Sequence, residues 1–191
     1  MSVQSLRFEP DPVLRAPARP VVRFAAELRQ LARDLMDTME AHDGIGAAAP
    51  QIGWDVQVCV ANPTRQRGRE LVVVNPMLTP LDGRAAIQEG CLSIPDVWDR
   101  VRRAARVRLL GQDLDGRPFT LVADGVLAIV LQHEIDHLEG RLFIDRLHWL
   151  RRRRAQATIR AWARSHRDPA PASPWQGADA LAEPRAAAAR R

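Results

Sequence analysis

The chain has 191 residues, long enough for one domain with a sizeable core, and 46% of them are hydrophobic, ordinary for a globular protein. All 28 basic residues are arginine, and the net charge of +5 is unevenly placed. Residues 1–146 carry 18 Arg against 20 acids, whereas residues 147–191 carry 10 Arg against 3, so the basicity resides in the C-terminal segment and points to a polyanionic partner there. Two cysteines, Cys59 and Cys91, do not make a secreted disulfide scaffold. The N-terminal residues have no apolar leader pattern, and the longest apolar run, Val126 to Leu131, is too short to span a bilayer. The chain therefore reads as soluble and cytoplasmic.

Pro10, Pro12, Pro17 and Pro20 predict an extended, turn-rich arm. Leu28, Leu31, Leu35, Met36 and Met39 recur at helical spacing and predict a helix over 24–41. Residues 44–53 form a Gly/Ala/Pro stretch expected to be a loop. Val56, Val58 and Val60 alternate as in a strand, and Leu71 to Val74 predicts another, stopped by Asn75-Pro76. A further element runs through Leu81 to Gln88 with a turn at Asp82-Gly83. Val107 to Asp113 and Phe119 to Val122 predict a hairpin around Asp115-Gly116.

A helix then follows, with Asp124 as N-cap and Gly140 as its C-terminal stop. Its first half, Val126 to Leu131, is apolar on nearly all sides and is expected to be fully buried. Its second half carries Gln132-His133-Glu134-Ile135-Asp136-His137. Uncompensated His, Glu and Asp in a buried helix would each cost free energy, so this segment needs a reason to exist. His133 and His137, four apart, share one helical face and have the spacing to grip one metal ion, with Glu134 beside them. Asp136 is expected to pair with an arginine such as Arg103.

His148 and His166 are poor third ligands because both lie in the Arg-rich segment. Cys91 is better, since Gly90 and Ser93 flank it in a polar stretch. Cys59 alternates with valines in a strand and reads as an inert core residue. Two imidazoles and one thiolate leave a fourth tetrahedral position for a water, whose pKa the metal lowers toward ~7. The thiolate suits ferrous iron or zinc.

A last helix is expected over 147–167, with seven Arg and no acid. Residues 169–191, rich in Ala, Pro and Arg, lack a core-forming pattern and are expected to be a disordered tail.

Three stretches together resemble the signature motifs of peptide deformylases, in order: Gly44-Ile45-Gly46-Ala47-Ala48-Ala49-Pro50-Gln51, Glu89-Gly90-Cys91-Leu92-Ser93, and His133-Glu134-Ile135-Asp136-His137. The likeness covers about residues 6 to 150. It departs from the family pattern at Ala47, where Leu is usual, and at Asp96, where Gly is common; Trp98 stands in a segment that often contacts substrate.

The resemblance implies a hydrolase of protein biosynthesis that removes formate from N-formylmethionyl nascent peptides. It implies an α+β fold, with antiparallel or mixed sheets around a central helix bearing the metal ligands, plus a C-terminal helix. Residues 1–168 would form the catalytic domain. Cys91, His133 and His137 would hold one divalent metal, ferrous iron by the family's habit and zinc as the alternative. Glu134 would move the proton. Gln51 and the backbone N–H of Leu92 would stabilise the developing oxyanion.

Gly44 and Gly46 would admit the substrate backbone, and Ile45, Val126 and Ile129 would line the methionine pocket, with Val130 equally able to be core. Residues 147–167 would dock at the ribosomal tunnel exit. The competing readings are a His-Glu-x-x-His metallopeptidase and an inactive ribosome- or RNA-binding protein on the same scaffold. The first is disfavoured by Cys91 and the Gly/Ala stretch, the second by the intact ligands, Gln51 and Glu134.

Overall fold

The computed structural model describes residues 2–166 and 178–183. Helix α1 spans Ala26–Ala41, α2 Gly125–Leu138 and α3 Trp149–Ser165. Seven strands accompany them among the described residues: β1 Gly46–Ala48, β2 Val58–Ala61, β3 Leu71–Pro80, β4 Arg84–Cys91, β5 Ile94–Ala104, β6 Arg106–Gln112 and β7 Pro118–Asp124. They form a five-stranded sheet in the order β1-β2-β3-β6-β7 and a separate β4-β5 hairpin. Every pair within both sheets is antiparallel. The expected α+β architecture is what the chain adopts.

Helix α2 packs its buried face, Ala128, Leu131, Ile135 and Leu138, on Cys59, Val73, Val107 and Leu109 of the large sheet. Burial of such side chains contributes roughly 1.5–3 kcal/mol each. On the other side of the fold, Leu28, Leu31, Leu35 and Met39 of α1 pack with Val56, Val58 and Val60. A third cluster joins Val13, Leu14, Ile94, Val101, Phe143 and Ile144 to Ala155 and Ile159 of α3. The metal-motif helix thus lies between the large sheet and the β4-β5 hairpin.

Three local expectations change. Residues 44–53 are not all loop: Gly46–Ala48 pairs with β2, and Ala49–Ile52 forms a 3-10 turn. Asn75-Pro76 does not stop β3. Asn75 takes φ 50°, which Asn tolerates, and the pairing with β6 resumes at Met77 past a bulge. The Asn75 side chain accepts from Val21 N–H and donates to Val21 C=O, so the bulge also anchors the N-terminal arm. The expected turn at Asp82-Gly83 is present, with Gly83 at φ 69°, and it carries the chain from β3 in the large sheet to β4 in the hairpin. Finally, α2 is not buried from its start: its first turn projects from the end of β7, and Val126 is 49% exposed.

The expected tail is corrected at residues 178–183. Ala178–Ala180 form a 3-10 turn, and Ala178, Leu181 and Ala182 are buried against the α1 cluster. The rest of that stretch, 169–177 and 184–191, lies outside the described residues. No helix among the described residues is long and apolar enough to cross a membrane.

Candidate metal centre

Strand β4 and helix α2 bring Cys91, His133 and His137 together, with one donor atom from each within 4.8 Å of the others. The pair on α2 follows from its four-residue spacing: the two imidazole centroids lie 5.2 Å apart. Cys91 ends β4 where the hairpin turns toward Ile94, and its Sγ lies 3.2 Å from His137 Nε2. The remaining cysteine, Cys59, is fully buried in β2.

One of the two histidines is oriented from behind. His133 Nδ1 donates to Glu89 Oε2 at 2.9 Å, which leaves Nε2 for a metal. Arg103 grips the same carboxylate through Nε at 2.6 Å and Nη2 at 2.8 Å, and reaches Asp136 Oδ2 through Nη1 at 2.7 Å. Arg146 closes the other side of Asp136. The expected Asp136–Arg103 pair is therefore present within a larger network.

Burial alone would raise both carboxyls. Hydrogen bonds from Arg103 and then His133 hold Glu89 below its ordinary range, and Arg146 and Arg103 do the same for Asp136. A buried charge network of this kind is tolerable only when every member is partnered.

The roles of Glu89 and Arg146 were not read from sequence. Glu89 stands in the second motif two residues before Cys91, an acid close in sequence to a candidate ligand. That was the available signal.

The site opens into a cavity of about 650 Å³, lined among others by Gly44, Ile45, Gly46, Gln51, Leu92 and Ile129. Cys91, His133, Glu134 and Val130 also face it. Val126 does not line it. It precedes His133 by seven residues, about 10 Å along the helix axis. Its expected place in the apolar pocket passes to Val130, which is one turn from His133 and Glu134.

Gln51 is buried and held by its own loop: its Oε1 accepts from Ala48 N–H at 2.8 Å. That fixes the amide nitrogen toward Ser93 Oγ at 3.2 Å and Cys91 Sγ at 3.6 Å, beside the ligand cluster. Glu134 is buried, and burial pushes its carboxyl up to about 7. Its Oε2 has no hydrogen-bond partner among the described residues, which leaves it for a water or a substrate. Gly46 has a second duty. A Cβ there would collide with the Glu134 carboxylate and with Val130, so only glycine lets β1 approach α2 this closely.

The donor set fits a catalytic metal. Two nitrogen ligands and one thiolate come from rigid elements, one ligand is oriented by a buried carboxylate, and a proton-carrying group stands in the same cavity. This arrangement is compatible with a metal-dependent hydrolase. Comparison with known proteins supplies the family. The polypeptide deformylase family profile matches residues 3–153.

The peptide deformylase of Acinetobacter baumannii is 42% identical over 151 residues, covering 78% of this chain and 86% of the relative. That of Chromobacterium violaceum is 39% identical over 160 residues, covering 84% and 96%. The crystal structure of a Legionella pneumophila peptide deformylase superposes with a TM-score of 0.81 at 38% identity, covering 87% of this chain and 99% of the other. A Synechococcus elongatus peptide deformylase in complex with actinonin gives 0.78 at 42% identity, covering 82% and 88%. The chain belongs to the polypeptide deformylase family. It is an enzyme of that family, whose reaction is removal of the formyl group from nascent peptides.

Proposed function

We propose that Cys91, His133 and His137 hold one divalent metal and that Glu134 and Gln51 work beside it to hydrolyse the N-formyl group of newly made proteins, releasing formate. The observation that carries this assignment is the convergence of three metal donors, a partnerless buried carboxylate oxygen and a fixed amide on one cavity. When bound, the metal supplies a Lewis acid at the formyl oxygen and lowers the pKa of a water. Ferrous iron is the ion this reading assigns, with zinc accommodated by the same donors.

Every other step belongs to the protein. Glu134 accepts a proton from the attacking water and delivers it to the leaving amine nitrogen. Its elevated pKa suits a group that must both take and return a proton. The Gln51 amide N–H and the Leu92 backbone N–H face the oxygen that gains negative charge as the formyl carbon becomes tetrahedral. Ser93 and Ala48 hold the Gln51 amide before substrate arrives, so little reorganisation is needed. Ile45, Ile129 and Val130 offer apolar surface to the methionine side chain. Gly44 and Gly46 leave room for the peptide backbone along β1.

In the same reading residues 1–168 are the catalytic unit, acting in the cytoplasm, and helix α3 contacts the ribosome near the tunnel exit. Its support is charge: Arg151, Arg153, Arg154, Arg160 and Arg164 are exposed on α3, and the helix bears no acid. Arg151 pairs with Asp99, leaving the others for phosphate contacts. Cosedimentation with ribosomes tests this part. Charge reversal at Arg153, Arg154 and Arg160 is expected to abolish it, and unchanged cosedimentation would remove the ribosome from the reading. Formate release from a formyl-Met tripeptide by metal-loaded protein tests the catalytic part.

A further inference from the structure

Residues 178–183 lie against the outside of the fold, on the arm over 19–24 and on α1. Leu181 is fully buried there, with Ala178 and Ala182 on either side of it. They join Val21, Phe24, Leu28, Leu31 and Leu35 in one apolar cluster. The polar contacts are as specific as the apolar ones. The Leu181 carbonyl accepts from both Val22 N–H at 2.8 Å and Arg23 N–H at 3.1 Å. Arg23 donates to the carbonyls of Ala180 at 2.8 Å and Ala182 at 3.1 Å, and also to that of Asp179. Arg19 donates to the Asp179 carboxylate at 2.7 Å and to the Glu183 carbonyl at 2.6 Å.

We infer that the face formed by residues 19–24 and α1 is a docking groove for the chain's own C-terminal turn, which closes over it as a clasp. Three features fit this occupant. The leucine fills an apolar pocket. Two arginines meet a turn that presents carbonyls and carboxylates but no cation. Only eleven residues, 167–177, separate the turn from the end of the described α3 segment, and the entropy of closing a loop grows slowly with its length.

Arg19 makes the clasp consequential. Its Nη2 also holds the buried Asp55 carboxylate at 2.8 Å, and its backbone pairs with Asp55 and Gln57. Those residues follow the turn that carries Gln51. The clasp thus secures the arm and the segment behind the site from outside, touching none of the residues that line the cavity. It is a stabilising strap, independent of the chemistry assigned above.

The test is hydrogen exchange on the full chain. In the wild type the Val22 and Arg23 amides are protected, and the protection is independent of protein concentration. In Leu181→Asp both amides lose at least about tenfold in protection, and Tm falls by roughly 5 °C or more. Formate release at 25 °C stays unchanged, which shows that the variant is folded. Leu181→Ala moves both readouts in the same direction by less. Unchanged protection and Tm in Leu181→Asp would overturn the clasp. Protection in the wild type that falls on dilution would also overturn it, because a second copy would then supply the turn.

Discussion

Glu89 accepts hydrogen bonds on one carboxylate from two directions: His133 Nδ1 at 2.9 Å from the metal side and the Arg103 guanidinium from behind. One buried acid therefore couples the ligand helix to the β4-β5 hairpin. It fixes which imidazole nitrogen faces the cavity. Glu89→Gln keeps the shape but removes the charge that polarises His133. Metal affinity is expected to fall about 10–100-fold. Metal content after dialysis against a graded chelator measures this, and formate release should recover at high metal concentration. Wild-type affinity in Glu89→Gln would leave Glu89 without this role.

Arg103 is the hub of the network, with its side chain 1% exposed between Glu89 and Asp136. Replacing it by Met leaves two buried carboxylates short of a partner. The expected cost is about 3–5 kcal/mol, which corresponds to a fall in Tm of roughly 10 °C for a chain of this size. Asp136→Asn should cost less, because Arg146 and Arg103 retain an amide oxygen to bond. Calorimetry on both variants gives the order, and equal stability of Arg103→Met and wild type would contradict it.

Gly46→Ala puts a methyl group where Glu134 and Val130 already stand. The carboxylate must move, and a displacement of about 1 Å is enough to cost roughly 100-fold in kcat. A variant with wild-type kcat would show that Glu134 is free to shift without consequence.

Gln51→Leu keeps the bulk but removes the amide donor. The expected loss is about 100–1,000-fold in kcat with the metal retained. Equal loss of metal would assign Gln51 to the Cys91 ligand instead, whose Sγ lies 3.6 Å away.

Much of this site is legible in the sequence because its parts are local. His133, Glu134 and His137 share one helix, and Cys91 stands out against its flanking glycine and serine. The supporting network was largely hidden. The Asp136–Arg103 pair follows from a carboxylate in a buried helix, but no spacing rule connects Arg103 to Glu89, 14 positions away, or singles out Arg146 as the second partner of Asp136. Strand β5 was missed for a backbone reason. Asp96 takes φ 62°, and the burial alternation changes phase after it, from Ile94 to Val97 and Val101.

The strand in residues 46–48 was invisible because three small residues carry no period. The turn at 178–183 read as low-complexity tail, since alanines gain their meaning only from the leucine pocket they flank. Val126 failed differently: helical phase put it on a plausible face, but distance along the axis carries it out of the cavity.

The central claim is that Glu134 moves the proton in a metal-dependent deformylation. Its most direct test is formate release from formyl-Met-Ala-Ser under anaerobic conditions, comparing wild type with Glu134→Gln at equal metal content. The account predicts rapid release by the wild type and a loss of at least about 100-fold in the variant. Equal rates in the two proteins, or no release by the metal-loaded wild type, would contradict it.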